Sequence, residues 1–349
     1  MAEPEIICER RGRAGYVRLN RPAALNAITH GMVRELAASL QAWDTDPAIR
    51  HVVVTAAGER AFSAGGDIRA LYESGTRGDH AAALAFWRDE YRLNIRIKRY
   101  GKPYVSLIDG IVMGGGVGLS LHGSHRIAGD RYRFAMPEVG IGFFPDVGAT
   151  YALPRLPGEA GTYLALTGAR VGPDDAARLG LATDLVPSDR HPEALERLLD
   201  GEGPDAVAAA LGRAPGEGSL GPERATIDGC FSGRDVPDIL RRLDEAADAG
   251  CAFASETTAA MRTKSPGSLA ITLEGLRQGG ELDFEDAMAN EFRIVSRVVR
   301  GRDFYEGVRA TLIDRDGAPR WEHSGPEAVD PAWLSGHFAA LSPATAELL

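Results

Sequence analysis

Glu138 and Asp146 stand eight positions apart in MPEVGIGFFPDVG, and every residue between them is glycine, proline or apolar. A solvated loop would interleave lysine, serine or threonine, and this one has none. A carboxyl group in apolar surroundings keeps its proton to higher pH, which suits it to general acid–base work near neutrality. It can also attack a carbonyl carbon as a nucleophile. Either acid taken alone reads as a helix cap or half of a buried ion pair, with Asp146 capping the segment that follows.

Two glycine turns upstream add a second chemistry. Ala64-Gly65-Gly66-Asp67 and Met113-Gly114-Gly115-Gly116-Val117-Gly118 each run from a strand region into a helix. Glycine lets another backbone or a ligand approach closely. A helix start offers unpaired N–H groups at the positive end of the dipole. Two such donors, converging, can hold a developing oxyanion. Tight helix–strand packing would explain either turn by itself; both turns upstream of the two acids point towards catalysis at a carbonyl.

Other motifs fall away. Gly114–Leu119 departs from G-x-G-x-x-G because Leu119 stands where the third glycine belongs, and GEGSLG at Gly216–Gly221 follows no strand and reads as a loop. The phosphate-loop pattern G-x-x-x-x-G-K-[ST] does not occur. Ser120 in GLSLH is no nucleophile elbow, since His122 stands where a glycine is needed. His122 and His125 stand at i, i+3, a spacing that would share a face if the segment were helical, but no acidic ligand follows at zinc spacing, so both read as structural and no metal is expected.

The elements that must position these residues alternate. Short strands are expected at 5–9 and 16–19, joined by a turn at 11–15. Thr29 caps a predicted helix with Met32, Val33, Leu36, Leu40 and Trp43 at helical spacing. HVVVTAAG and YVSLIDG read as buried strands, 79–98 as a long helix, and 126–128 and 133–135 as further strands. The pattern continues to about Val186 and predicts an α/β fold with several crossovers. Beyond Pro187 the character changes. Residues 200–235 are rich in Gly, Ala and Pro, and helices are expected at 236–247, 269–278 and 284–299. Phe284, Met288, Phe292, Val295 and Val299 mark one face of the last. The expected organisation is an α/β core over 1–190 and a mainly helical region over 191–349.

Bulk properties exclude several classes. The 349 residues suffice for a sizeable core, and 44% hydrophobic with 25% charged residues is ordinary for a globular protein. The net charge of -10 and the lack of a basic stripe argue against a nucleic-acid partner. Three irregularly spaced cysteines, Cys8, Cys230 and Cys251, fit a reducing compartment. MAEPEIICER has no apolar signal region, and no run of 18 apolar residues occurs, so a cytoplasmic protein without a membrane span is expected.

With these residues in view, LNRPAALNAIT, HVVVTAAG, AFSAGGDI, the triple glycine and MPE, in that order and spacing, resemble the crotonase (enoyl-CoA hydratase/isomerase) superfamily over roughly 5–190. The resemblance implies a crotonase-like spiral of ββα units with a helical C-terminal region. It implies a small-molecule acyl-CoA substrate, with coenzyme A as part of that substrate and no other cofactor. It makes the amides of Gly66 and Gly115 the oxyanion hole. It lays Ala64, Gly66, Asp67 and Ile68 along the CoA adenine and pantetheine, with Leu25 and Gly114 of the same motifs also at the substrate.

Hydratases of the family carry G-G-G-x-E, and Gly118 occupies the position of that glutamate, which disfavours hydration. GIVMGGGVGLSLHGSHRIA, FAMPEVGIGFFPDVGATYALPRL and DFYEGVRATLIDRDGAPRW instead resemble the branch that hydrolyses 3-hydroxyisobutyryl-CoA in valine breakdown, out to about Leu341. That branch makes Glu138 and Asp146 the active-site acids and puts Glu90, in RDEY, near the substrate. One departure is Ala23, where the family often has a lysine that helps hold CoA phosphate; another basic residue must replace it or CoA binds less tightly. The resemblance also implies a homo-oligomer built through C-terminal helices, with a fold-back of the longer helical part as the alternative. Some members bind RNA through a lysine-rich helix, but here Arg88, Arg92, Arg96 and Lys98 share the helix with Asp79, Asp89 and Glu90.

Overall fold

A stretch such as HVVVTA, apolar to both sides, is satisfied only inside a parallel sheet covered on both faces. The computed structural model, which describes residues 3–341 and 348, places it there. Among the described residues nine strands form: β1 (Ile6–Arg11), β2 (Ala14–Leu19), β3 (His51–Ala56), β4 (Ala61–Ser63), β5 (Tyr104–Ile108), β6 (Ile111–Met113), β7 (His125–Ala128), β8 (Arg133–Ala135) and β9 (Asp184–Leu185). Six make one sheet in the order β1-β2-β3-β5-β7-β9, antiparallel only between β1 and β2. The other three make a small parallel sheet, β4-β6-β8.

By packing, the chain groups into two compact units, each assembled from three stretches of sequence. The first comprises residues up to Asp67, Arg92–Ala135 and Arg170–Ser219; the second comprises Ile68–Tyr91, Met136–Ala169 and the residues from Leu220 on. A cut at residue 190 describes composition along the chain, whereas these units interleave. The sequence order of secondary structure is as expected: the described strands all end by Leu185, and the elements after residue 190 are helical. Residues 342–347 and 349 of the expected helical region lie outside the described residues.

Both sheets belong to the first unit. Its core joins Ala14, Val53, Val105, Leu107, Ile127 and Val186 to Ala194, Leu198, Val207 and Leu211 from the helices His191–Leu199 and Pro204–Leu211. The helix His30–Asp44 begins as expected, with the Thr29 hydroxyl accepting from the Met32 amide at 3.3 Å, and it buries Met32, Val33, Leu36, Leu40 and Trp43. The second unit is helical. Its centre is the helix Pro266–Glu281, flanked in sequence by Ala252–Arg262 and Phe284–Val298.

Candidate active site

In the first unit the two glycine turns lie side by side because the strands that feed them are neighbours. β4 and β6 pair in parallel; β4 runs into Ala64-Gly65-Gly66-Asp67 and β6 into Gly114-Gly115. A side-chain carbon on Gly65, whose φ is +110°, would sit 3.5 Å from the Met113 carbonyl oxygen and 3.7 Å from the Gly115 nitrogen. A side-chain carbon on Gly116 would sit 2.7 Å from Ser63, the last residue of β4. The positive φ calls for glycine at Gly65, and the lack of space calls for it at Gly116.

Within the turns the local hydrogen bonds engage the Ala64, Gly65 and Asp67 amides and pass over that of Gly66. A parallel bridge between Ile28 and Gly66 uses the Gly65 carbonyl and the Asp67 amide, not the Gly66 amide. Gly114, at φ 48° and ψ -127°, caps the short helix Gly115–Gly118 and accepts from Val117 and Gly118 at its carbonyl. The Gly115 N–H is thus one of the unpaired donors at a helix start.

The same turn gathers other residues predicted at the site. Leu25 and Asn26 both adopt left-handed φ, and the Leu25 carbonyl accepts from Ala64 at 3.0 Å. The buried Asn26 amide donates to Ala57 and Ala61, tying this loop to the entry of β4. Asp67 pairs with Arg21 at 3.0 Å, and Arg21 also pairs with Glu5 at 3.0 Å. Arg21, the basic residue nearest the exposed Ala23 in sequence, is therefore already committed to two carboxylates. Gly66, Gly114, Gly115, Ala64, Asp67 and Leu25 share this corner of the first unit, while Ile68 opens the helix Ile68–Thr76 of the second.

The acids gather in the second unit. The chain leaves β8 at Ala135, and Glu138 opens a tight turn, Glu138–Ile141, that ends on left-handed Gly142. Glu90 and Tyr91 lie three and four residues beyond Trp87 on the helix His80–Lys98, hence on one face. The Tyr91 hydroxyl donates to Asp146 at 2.8 Å. Glu90, Glu138 and Asp146 are all buried, and Glu90 Oε1 and Glu138 Oε2 have no partner among the described residues. Aromatic rings wall the cluster: Trp87 stacks on Phe143 at 5.6 Å, and Phe143 meets Phe144 at 4.9 Å and Phe304 at 5.5 Å.

A fourth acid escaped the sequence reading. Glu291, 0% exposed on the helix Phe284–Val298, accepts from the Gly148 amide at 2.8 Å, the Thr150 amide at 3.0 Å and the Thr150 hydroxyl at 2.6 Å. Its position carried a signal, since it falls three residues after Met288 and four before Val295 on an otherwise apolar stripe.

Burial, then the charge of Asp146, pushes the Glu90 and Glu138 carboxyls well above the usual range. Asp146 is raised to about 7, chiefly by burial and against the pull of the Tyr91 hydrogen bond. Glu291 rises to about 8 from burial and from Asp146, against its own three hydrogen bonds. Asp146, raised to about 7, is placed to exchange a proton near neutrality, as acid–base work at a carbonyl requires.

The histidines and serine set aside by sequence have structural partners. The Ser120 hydroxyl donates back to the Gly116 carbonyl at 2.8 Å, and His125 Nε2 lies 3.1 Å from Asp205. Among the described residues no group of three or more His, Cys, Asp or Glu is arranged to hold a metal ion.

Comparison with known proteins supplies the family. A sequence model described as enoyl-CoA hydratase/isomerase matches residues 14–338. The chain is 42% identical over 351 residues to the mitochondrial 3-hydroxyisobutyryl-CoA hydrolase of Danio rerio, covering 97% of this chain and 91% of that protein. It superposes with TM-score 0.93 and 41% identity on the crystal structure of a carnitinyl-CoA dehydratase from Mycobacterium thermoresistibile, over 99% of both chains. It also superposes with TM-score 0.92 and 43% identity on an enoyl-CoA hydratase from Rhodobacter sphaeroides 2.4.1, over 99% of this chain and 100% of that one. With the paired glycine turns and the MPE segment in place, the chain belongs to the enoyl-CoA hydratase/isomerase, or crotonase, family.

Proposed function

We propose that this protein hydrolyses the thioester of 3-hydroxyisobutyryl-CoA, releasing 3-hydroxyisobutyrate and coenzyme A. The observation that carries the reading is Glu138, buried beside Asp146 with one oxygen unpartnered, in a chain similar along nearly its whole length to a hydrolase of that substrate. The thioester oxygen accepts hydrogen bonds from the Gly66 and Gly115 amides, which stabilise the oxyanion formed on attack; one such donor is worth about 10²–10³ in rate. Glu138 delivers the attack, either directly, forming a mixed anhydride that water then hydrolyses to release the acid and restore Glu138, or as general base to water. The carbon–sulfur bond breaks and the CoA thiolate leaves with a proton. Asp146, exchanging its proton near pH 7, serves the 3-hydroxyl of the acyl group or the departing thiolate, and Glu90 orients the acyl part.

Leu25, Ala64, Asp67, Ile68 and Gly114 line the path of the CoA moiety in this reading. A cytoplasmic location is part of it as well, although the Danio rerio relative is named as mitochondrial. Among the described residues no helix is long and apolar enough to cross a membrane.

Glu138→Gln tests the proposal through free-thiol release from 3-hydroxyisobutyryl-CoA. A fall of about 10²-fold or more is expected, and release at the wild-type rate would remove Glu138 from the chemistry. A second reading, hydration of an enoyl-CoA, is favoured by the descriptions of the two superposed structures. Gly118, buried in the helix Gly115–Gly118, supplies no second carboxylate for it. Loss of the conjugated thioester absorbance of crotonyl-CoA at a rate matching thiol release would favour hydration instead.

A further inference from the structure

We propose that Glu291 is a positioning residue for Asp146: its buried carboxyl group grips the backbone immediately after that acid and so fixes where the acid points. The proposal rests on the role given to Asp146 above.

The chain turns sharply after Asp146. Val147 takes φ 53°, a left-handed conformation costly for a β-branched residue, and Gly148 follows at φ 86°. Two successive left-handed residues hold only where the surroundings over-determine them. The Ala149 amide donates back to the Asp146 carbonyl at 2.9 Å, and the helix that starts there, Ala149–Ala152, is too short to orient itself. What holds it is Glu291. One oxygen takes the Gly148 amide; the other takes both the amide and the hydroxyl of Thr150. Three donors from two residues, Gly148 and Thr150, close on one carboxyl that is 0% exposed.

The other end of the clamp is equally fixed. Glu291 is followed by Phe292, whose ring packs edge-on against Tyr91 at 6.3 Å. Tyr91 in turn donates to Asp146. The helix Phe284–Val298 thus holds Asp146 twice, through its own backbone by Glu291 and through its carboxylate by way of Tyr91. A helix cap alone would need neither the second oxygen nor the tyrosine.

The test is a double-mutant cycle, read by kcat and KM for thiol release from 3-hydroxyisobutyryl-CoA. In Glu291→Gln an amide N–H faces the Gly148 N–H, so one grip is lost. The expected result is a fall in kcat of about 10- to 100-fold, with KM changed by about two-fold or less. In the Asp146→Asn background the same change lowers kcat by about two-fold or less, because the clamp acts through Asp146. Thr150→Val, which deletes only the hydroxyl donor, gives a smaller loss of about three- to ten-fold in kcat and carries the test if Glu291→Gln does not fold.

Wild-type kcat in folded Glu291→Gln or in Thr150→Val would overturn the proposal. So would equal losses in the two backgrounds, since they would mark a general structural role. A wild-type rate in Asp146→Asn alone would fell the role of Asp146 itself, and the clamp with it. That result is distinct from one in which Asp146→Asn is impaired and the losses simply multiply.

Discussion

The glycine turns of the first unit and the acid cluster of the second solve opposite problems. The turns need emptiness: Gly65 and Gly116 leave space that one added carbon would fill, and the groups they present belong to the backbone. The cluster needs company: burial and then the charge of Asp146 raise Glu90, Glu138 and Glu291, and burial raises Asp146 while Tyr91 holds it back. A backbone site is therefore indifferent to charge and brittle to volume. A side-chain site tolerates small changes of volume and is brittle to charge.

The sharpest way to break that contrast is volume in a turn. Gly116→Val places its first side-chain carbon 2.7 Å from the Ser63 carbonyl oxygen, which is backbone and cannot step aside. Thiol release is expected to fall by about 10²–10³-fold, as for a misplaced oxyanion donor. Near-normal turnover would show that the close approach of the turns is packing alone.

A smaller effect is expected from Tyr91→Phe, which keeps volume and removes one hydrogen bond. That bond pulls the Asp146 pKa down, so its loss moves the ionisation of Asp146 above about 7. The pH–rate profile of kcat should show the matching limb displaced upward by about half to one unit, with turnover at neutral pH several-fold lower. An unmoved limb would mean that another group governs it.

The smallest effect sharpens the contrast by pH alone. In the unfolded chain Asp146 and Glu291 ionise at their ordinary values of 3.8 and 4.5, whereas in the folded protein they hold their protons to about 7 and about 8. Between these limits the folded state binds more protons, so this contribution is fully present in acid and is lost as pH rises to about 8. Thermal unfolding should drop by a few degrees, roughly, between pH 5 and pH 9, and Asp146→Asn should flatten the slope. Activity and stability would then run in opposite directions with pH. A melting temperature that rises over this range would contradict the raised ionisation of these buried acids.

How much of this was written in the sequence follows from how local each signal is. Glycine triplets and a pair of acids in an apolar turn announce themselves within a dozen residues, as did Thr29 and the stripe behind it. β4 and β6 did not, because three residues leave no room for alternation, and both were absorbed into the turns they feed. The helices Pro204–Leu211 and Arg224–Phe231 were hidden in a region read as Gly, Ala and Pro-rich. For the first, Pro204 at the start and Gly203 and Gly212 at the ends were helix boundaries, not loop. Glu291 lay 143 residues from the amide it grips, and no local pattern bridges that distance.

The two orphaned oxygens, Glu90 Oε1 and Glu138 Oε2, have a practical consequence. Each buried, unsatisfied polar atom costs about 1–3 kcal/mol, so the fold carries a standing penalty where those acids sit. Selecting variants for heat tolerance alone would favour leucine or glutamine at these positions early, and under the proposed mechanism the survivors would be well-folded proteins that have lost the acids assigned to turnover.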